Sequence, residues 1–318
     1  MLVDAGLVVA GLAGLVIGAE FLVRGGSAIA TRLGVSPLLV GLTIVSVGTS
    51  MPELAVGIDA TLNDAGPLAV GNIAGTNIVN ILLILGLSAA MVPLALGKQT
   101  LRLDLPAMSI SAVLMLVLSL NGSLGRIDGV ILLLLGIGYT AAAIRSELRE
   151  RATPVEEEIA EELPAKGGPL WLRALELLGG IAAVVVAADW LVDGSVSIAT
   201  DLGVSEAFIG LTIVAIGTSA PELVTTLMST IRGDRDLAIG NLIGSSVYNI
   251  VFILGVTALV KPIEVTSDLI RVDIPLMTAV AVLCIPVFVS GRRVSRLEGI
   301  GFVALYVIYL VVLLVFRT

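Results

Sequence analysis

Residues Gly48–Leu54 read "GTSMPEL", and Gly217–Leu223 read "GTSAPEL". Both stretches lie inside long apolar runs, and both set a proline beside a glutamate. Proline has no N–H for the carbonyl four residues back, and its ring crowds that carbonyl. Pro52 thus deprives Gly48 of its helical donor, and Pro221 does the same to Gly217. Glycine adds backbone freedom at the same point. The pattern predicts two broken helices with Glu53 and Glu222 just past each break.

The surroundings are those of a membrane protein. The chain has 318 residues, 57% of them hydrophobic and only 14% charged, with a mean hydropathy of +1.08. A water-soluble domain could not cover that much apolar surface. Apolar runs of roughly 20 residues, enough to span a bilayer, recur at about 5–23, 37–62, 67–91, 103–120, 127–144, 171–192, 206–230, 237–260, 274–290 and 297–316. The expected fold class is all-α integral membrane with ten transmembrane helices. Short alternating segments of the barrel type are absent. No Lys or Arg precedes the first run, which reads as a span rather than a signal peptide. Histidine is missing and Cys284 is alone, so neither a disulfide nor a His- or Cys-based metal site is expected.

Counting loops span by span puts Arg24, Arg32, Lys98, Arg102, Arg145, Arg149, Arg151, Lys166, Arg173, Arg232, Arg235, Arg292, Arg293 and Arg296 on one side. Only Arg126, Lys261, Arg271 and Arg317 fall on the other. By the positive-inside rule, both termini are outside and the polar segment 145–169 is cytoplasmic, in a cell membrane. That segment, with its "EEEIAEE" run, reads as a solvated linker. It is too short for a sensor domain and lacks the spacing of an EF-hand loop.

The linker separates two copies of one unit, 1–144 and 170–318, which align without gaps at an offset of 169. "LGVS" at Leu33–Ser36 returns at Leu202–Ser205, and "GLTIV" at Gly41–Val45 returns at Gly210–Val214. Asn72, Asn80, Arg102, Asp104 and Pro106 match Asn241, Asn249, Arg271, Asp273 and Pro275. Five spans per copy is an odd number, so the second copy enters the membrane from the opposite side. Such inverted repeats bring matching motifs together near the midplane, the usual geometry of a secondary transporter.

Non-helical backbone is tolerated at that depth only where it is buried in protein or lines a hydrated cavity. Two carboxylates there repel by roughly 4 kcal/mol at ~4 Å and an effective dielectric near 20, so cations or protons must compensate. Intramembrane ionisable groups are functional by default. The following spans carry "GNIAGTNIVNI" (Gly71–Ile81) and "GNLIGSSVYNI" (Gly240–Ile250). Asn72, Thr76 and Asn80 share a helical face, as do Asn241, Ser245 and Asn249. These either glue helices together or, with Thr49, Ser50, Thr218 and Ser219, surround the glutamates with neutral oxygens. An all-oxygen site suits hard cations such as Ca2+ and Na+.

The paired "GTS-x-PEL" motifs with these asparagine helices resemble the calcium/cation antiporter superfamily, most closely its prokaryotic sodium/calcium exchanger family. The resemblance covers nearly the whole chain. It implies that spans 2, 3, 7 and 8 form a core across which spans 1 and 6 slide. It also implies ion ligands at Thr49, Ser50, Glu53, Thr76 and Asn80, at Thr218, Ser219, Glu222, Ser245 and Asn249, and at the carbonyls of Ser46 and Ala215. Where other members carry aspartate this chain has Asn249, so two formal negative charges remain, matching one Ca2+ or two Na+. The expectation is a Ca2+/Na+ antiporter without cofactor or catalytic residue, monomeric in the lipid bilayer and with no nucleic-acid partner. The alternative is H+/Ca2+ exchange on the same glutamates, with K+ involvement open. A passive channel and a paired-acid intramembrane protease fit the whole-chain duplication less well. Glu20 and Arg24, one turn apart, are expected to pair.

Overall fold

The computed structural model describes residues 2–150, 169–203 and 215–317. Helices dominate: α1 (Leu2–Leu33), α2 (Pro37–Thr49), α3 (Met51–Leu62), α4 (Gly66–Met91), α5 (Thr100–Ser119) and α6 (Arg126–Glu150). After residue 168 come α7 (Leu170–Asp201), α8 (Ala215–Thr218), α9 (Ala220–Arg232), α10 (Arg235–Val260), α11 (Leu269–Gly291) and α12 (Arg296–Arg317). Among the described residues eight helices are long and apolar enough to cross a membrane, or nine if the bent pair α2–α3 is one span. The expected span 206–230 begins outside the described residues and continues as α8 and α9. Most of the expected linker, 151–168, also lies outside them. Its first residues extend α6 to Glu150, beyond the expected end at 144.

Two helices form the centre. In α4 and α10, 78% of the apolar window is buried, against 22–44% in the other candidate spans. Around them α1 and α7 pack along their length. A methyl placed on Gly180 would stand 2.4 Å from the Leu22 nitrogen, so glycine is what lets these backbones touch. At 32 residues each and about 1.5 Å per residue, both outrun a hydrocarbon layer of about 30 Å.

Element boundaries recur at the offset of 169. The α3 start at Met51 returns at Ala220, and wide π-turns at Thr100–Asp104 and Leu269–Asp273 precede Leu105 and Ile274. Pro106 and Pro275 follow these turns, and a widened turn relieves the proline ring from the carbonyl before it. Further π-turns occupy Val79–Leu85 in α4 and Asn249–Leu254 in α10. Two-residue strands close the ends: β1 (Leu94–Ala95) pairs with β4 (Arg293–Val294), and β2 (Ser123–Leu124) with β3 (Ile263–Glu264). Between α5 and α11, Ser109 Oγ lies 3.4 Å from the Ala281 carbonyl, and Thr278 Oγ1, which donates to the Ile274 carbonyl at 2.8 Å, lies 3.2 Å from the Ala112 carbonyl. Each contact becomes the other when the halves are exchanged.

One expected pair is not formed. Glu20 is held by Arg232 on α9, tying α1 to the second half, rather than by Arg24 on its own helix. A long-range partner across a helix contact won over the local one.

Candidate cation site

Both "PEL" helices begin where the sequence puts the prolines. Ser50, between α2 and α3, has φ −88° and ψ 10°, and Ser219, between α8 and α9, has φ −87° and ψ 6°. The α2–α3 bend is 41°. Proline at the second position of each helix fits, because that N–H has no helical acceptor. The Gly48 carbonyl is less exposed than expected: the Ser50 N–H turns back toward both Ser46 and Gly48.

Each break sets its glutamate in the first turn of the new helix, at the positive end of the helix dipole. Glu53 is fully buried and Glu222 is 1% exposed. The two carboxylates are close enough to repel one another. Ser50 Oγ donates to Glu222 Oε1 at 3.1 Å, and Thr49 and Ser245 also approach that carboxylate. Among the described residues neither oxygen of Glu53 has a hydrogen-bond partner, nor has Glu222 Oε2. Buried polar atoms are normally paired, and a buried carboxylate without donors is costly. The neutral oxygens repeat this pattern. Among the described residues both amide atoms of Asn80 and the Asn249 Oδ1 are buried without partners, and the Ser245 hydroxyl, near Glu222, completes no hydrogen bond of good geometry. Asn80 and Asn249 sit on the two π-turns, where a widened turn re-aims side chains and which often mark functional positions.

Other anticipated residues are engaged by protein. The Ser46 hydroxyl lies 2.6 Å from the Gly41 carbonyl and 2.9 Å from that of Asn241, while its own carbonyl accepts from the Ser50 N–H at 3.1 Å. Thr49 Oγ1 donates to Asn241 Oδ1 at 3.3 Å, and Asn241 Nδ2 to Thr226 Oγ1 at 3.0 Å. Asn241 is therefore interhelical glue, whereas the Nδ2 of its counterpart Asn72 is buried and unpaired among the described residues. Thr76 is buried on α4, one turn before Asn80. Thr218 and Ser219 close α8 and the second break, and both have interaction partners. Ala215 opens α8.

Sequence reasoning passed over Asn77 and Thr225. Asn77 receives a hydrogen bond from Asn249 Nδ2 at 3.2 Å. Thr225 is buried one turn past Glu222 with its hydroxyl unpaired among the described residues. The signal for Asn77 was present, three residues before Asn80, but counting in fours skipped it. Among the described residues no three His, Cys, Asp or Glu side chains gather into a metal cluster. The arrangement is two carboxylates among amide and hydroxyl oxygens, which can neutralise two positive charges with hard-oxygen ligands.

Comparison with known proteins gives a consistent result. The family model described as "Sodium/calcium exchanger protein" matches residues 3–145 and 174–315. Inner membrane protein YrbG of Escherichia coli is 37% identical over 292 residues, covering 89% of this chain and 88% of its own. Sodium/calcium exchanger MaX1 of Methanosarcina acetivorans is 33% identical, covering 95% of this chain and 96% of its own. Solved structures of the sodium-calcium exchanger NCX_Mj superpose with a TM-score of 0.83 at 30% identity, over 96% of this chain and 97% of theirs.

Proposed function

Because this chain belongs to the sodium/calcium exchanger family, we propose that it is a secondary antiporter exchanging Ca2+ for Na+ by alternating access at the Glu53–Glu222 site. The observation that carries this reading is Glu53: a fully buried carboxylate, beside a second one, with no donor to either oxygen among the described residues. Such a group needs a cation. One Ca2+ or two Na+ neutralise the pair, so the ions compete for the same charge, and that competition couples their movements. The ligand set is Glu53, Glu222, Asn80, Asn249, Thr49, Ser50, Thr218, Ser219, Thr76 and Ser245, with the carbonyls of Ser46 and Ala215.

The two five-helix halves, 1–144 and 170–318, are inverted repeats of a ten-span transport domain. At the offset of 169, β1 maps onto β3 and β2 onto β4 within one residue. Exchanging the halves thus turns the β1–β4 pair into β3–β2. The two pairs flank α5 at opposite ends, so the exchange swaps the ends of the bundle, as a two-fold axis in the membrane plane would. Both termini are outside and the linker is cytoplasmic. In support, β1 and β4 come from loops assigned to the inner side, while Lys261 and Asp64, paired at 2.6 Å, come from loops assigned to the outer side.

The test is 45Ca2+ uptake into proteoliposomes at clamped voltage, driven by an outward Na+ gradient or by a pH gradient. Uptake driven by Na+, lost in Glu53→Gln and in Glu222→Gln, is expected. Uptake driven only by the pH gradient would assign proton exchange on the same glutamates, and undiminished uptake in both variants would refute the site.

A further inference from the structure

Asn77 lies outside the ligand set, yet it decides which way one amide of that set faces. Its Nδ2 donates to the Ser246 carbonyl at 3.1 Å and lies 3.7 Å from the Met277 sulfur. A carbonyl and a thioether accept but cannot donate, so the Asn77 amide has one satisfactory orientation, with Oδ1 turned away from both. That Oδ1 accepts from Asn249 Nδ2 at 3.2 Å. Asn249 thereby commits its NH2 to Asn77, and its Oδ1 stays buried without a protein partner among the described residues. We infer that Asn77 is a positioning residue, holding Asn249 so that its carbonyl oxygen, and not its NH2, is offered to a bound cation. The inference rests on the cation-site reading above.

Among the described residues the other half has no such device. The repeat counterpart of Asn77 is Ser246, whose hydroxyl donates to the Leu242 carbonyl on its own helix at 3.0 Å. Asn80, the counterpart of Asn249, accordingly has neither amide atom held among the described residues. One amide oxygen is preset before an ion arrives and the other is set by the ion. An aspartate at 249 would need no orienting partner, because both its oxygens accept. An asparagine does, because half its orientations present positive hydrogens to a cation.

Asn77→Leu removes the acceptor at similar volume. Half-saturation by Ca2+ is read as the Ca2+ dependence of thermal stability of the full chain in detergent, which needs no coupling ion. A neutral hydrogen bond contributes about 0.5–1.5 kcal/mol, so Asn77→Leu is expected to raise half-saturation roughly 3- to 10-fold. In an Asn249→Asp background the same change should move it less than about twofold, since amide orientation no longer matters. A merely structural role would cost the same in both backgrounds. Equal shifts in the two, or none in the Asn249 protein, overturn the inference. If Asn77→Leu does not fold, Asn77→Ser, whose hydroxyl is too short to reach, carries the same comparison. Ca2+ stabilisation that survives Glu53→Gln marks a failure of the site itself, not of Asn77.

Discussion

The Ser50 hydroxyl, at the break in the first half, donates to Oε1 of Glu222, 172 residues further along the chain, over 3.1 Å. The kink of one half therefore orients the carboxylate of the other, and both lone pairs of the serine remain for an ion. A hydrogen bond to a charged group contributes about 1.5–3 kcal/mol. Ser50→Ala should raise half-saturation by Ca2+ roughly 10-fold or more, while Ser50→Thr, which keeps the hydroxyl, should stay near wild type. Isotope exchange in proteoliposomes reads both. An alanine variant with unaltered affinity would confine this bond to the ion-free state.

Glu53 makes a prediction about stability rather than transport. With neither metal ion nor proton bound it is, among the described residues, a buried charge with no donor, beside a second charge. Neutralising it at similar volume removes that repulsion. Ion-free Glu53→Gln protein should melt above ion-free wild type, although it no longer transports. Wild type should gain about 2.7 kcal/mol at a Ca2+ concentration 100 times its Kd, or about 5–11 °C at about 2–4 °C per kcal/mol. Chelating Ca2+ in choline buffer should abolish that gain. Thermal scans of both proteins with and without Ca2+ check it, and a Glu53→Gln protein that melts lower without ions would contradict the assignment of strain to this carboxylate.

The helix breaks were legible because proline and glycine act locally, through a missing N–H that no tertiary contact restores. The long spans were legible because burial in lipid requires apolar length. What escaped were features set by one helix against another. The π-turns at Asn80 and Asn249 carry no residue signature, as neither holds a proline. Glu20 had a good local partner in Arg24 and a distant one in Arg232, and spacing alone favours the local one. Asn77 sat beside the counted face because a fixed step of four ignores the widened turn ahead of it. The repeat itself misleads where neighbours differ: Asn72 and Asn241 align, yet among the described residues only the second is bound between helices.

Gly244 shows what such a contact demands. A methyl on it would stand 2.2 Å from Ser46 Oγ and 2.8 Å from the Leu42 carbonyl. The close approach of α2 to α10 therefore needs glycine at this position. Gly244→Ala should push the two helices apart at the Ser46 bridge, costing about 1–3 kcal/mol and sharply slowing exchange. Gly301→Ala, at an exposed position of α12 where a methyl meets nothing within 4 Å among the described residues, should melt and transport like wild type. Melting temperature and initial uptake rate, measured side by side, decide it; equal effects would mean that the α2–α10 contact relaxes freely.

The Glu20–Arg232 pair yields a prediction about the conformational cycle. It joins α1 to the end of α9 on the proposed cytoplasmic side, and under the alternating-access proposal α1 moves against α9 when the inner path opens. The repeat equivalents are Asp189 and Asn63. Asn63 is uncharged, and its amide donates to the Asp59 carbonyl and carboxylate at 3.0 and 3.1 Å. The equivalent outer position therefore has no matching ion pair, and the latch is one-sided. Its side chains are 35% and 32% exposed, so it is worth at most about 1 kcal/mol, a bias of roughly fivefold toward the inner-closed state. In a Cys284→Ser background, a reporter cysteine at Ser229, buried one turn before Arg232 on α9, should react up to about fivefold faster with an impermeant thiol reagent from the inner side when Arg232 is changed to Ala. High salt should narrow that difference by screening the wild-type pair. The reversed pair, Glu20→Arg with Arg232→Glu, should bring the rate back. Labelling that ignores Arg232→Ala at low salt would show that other contacts hold α1 closed against α9.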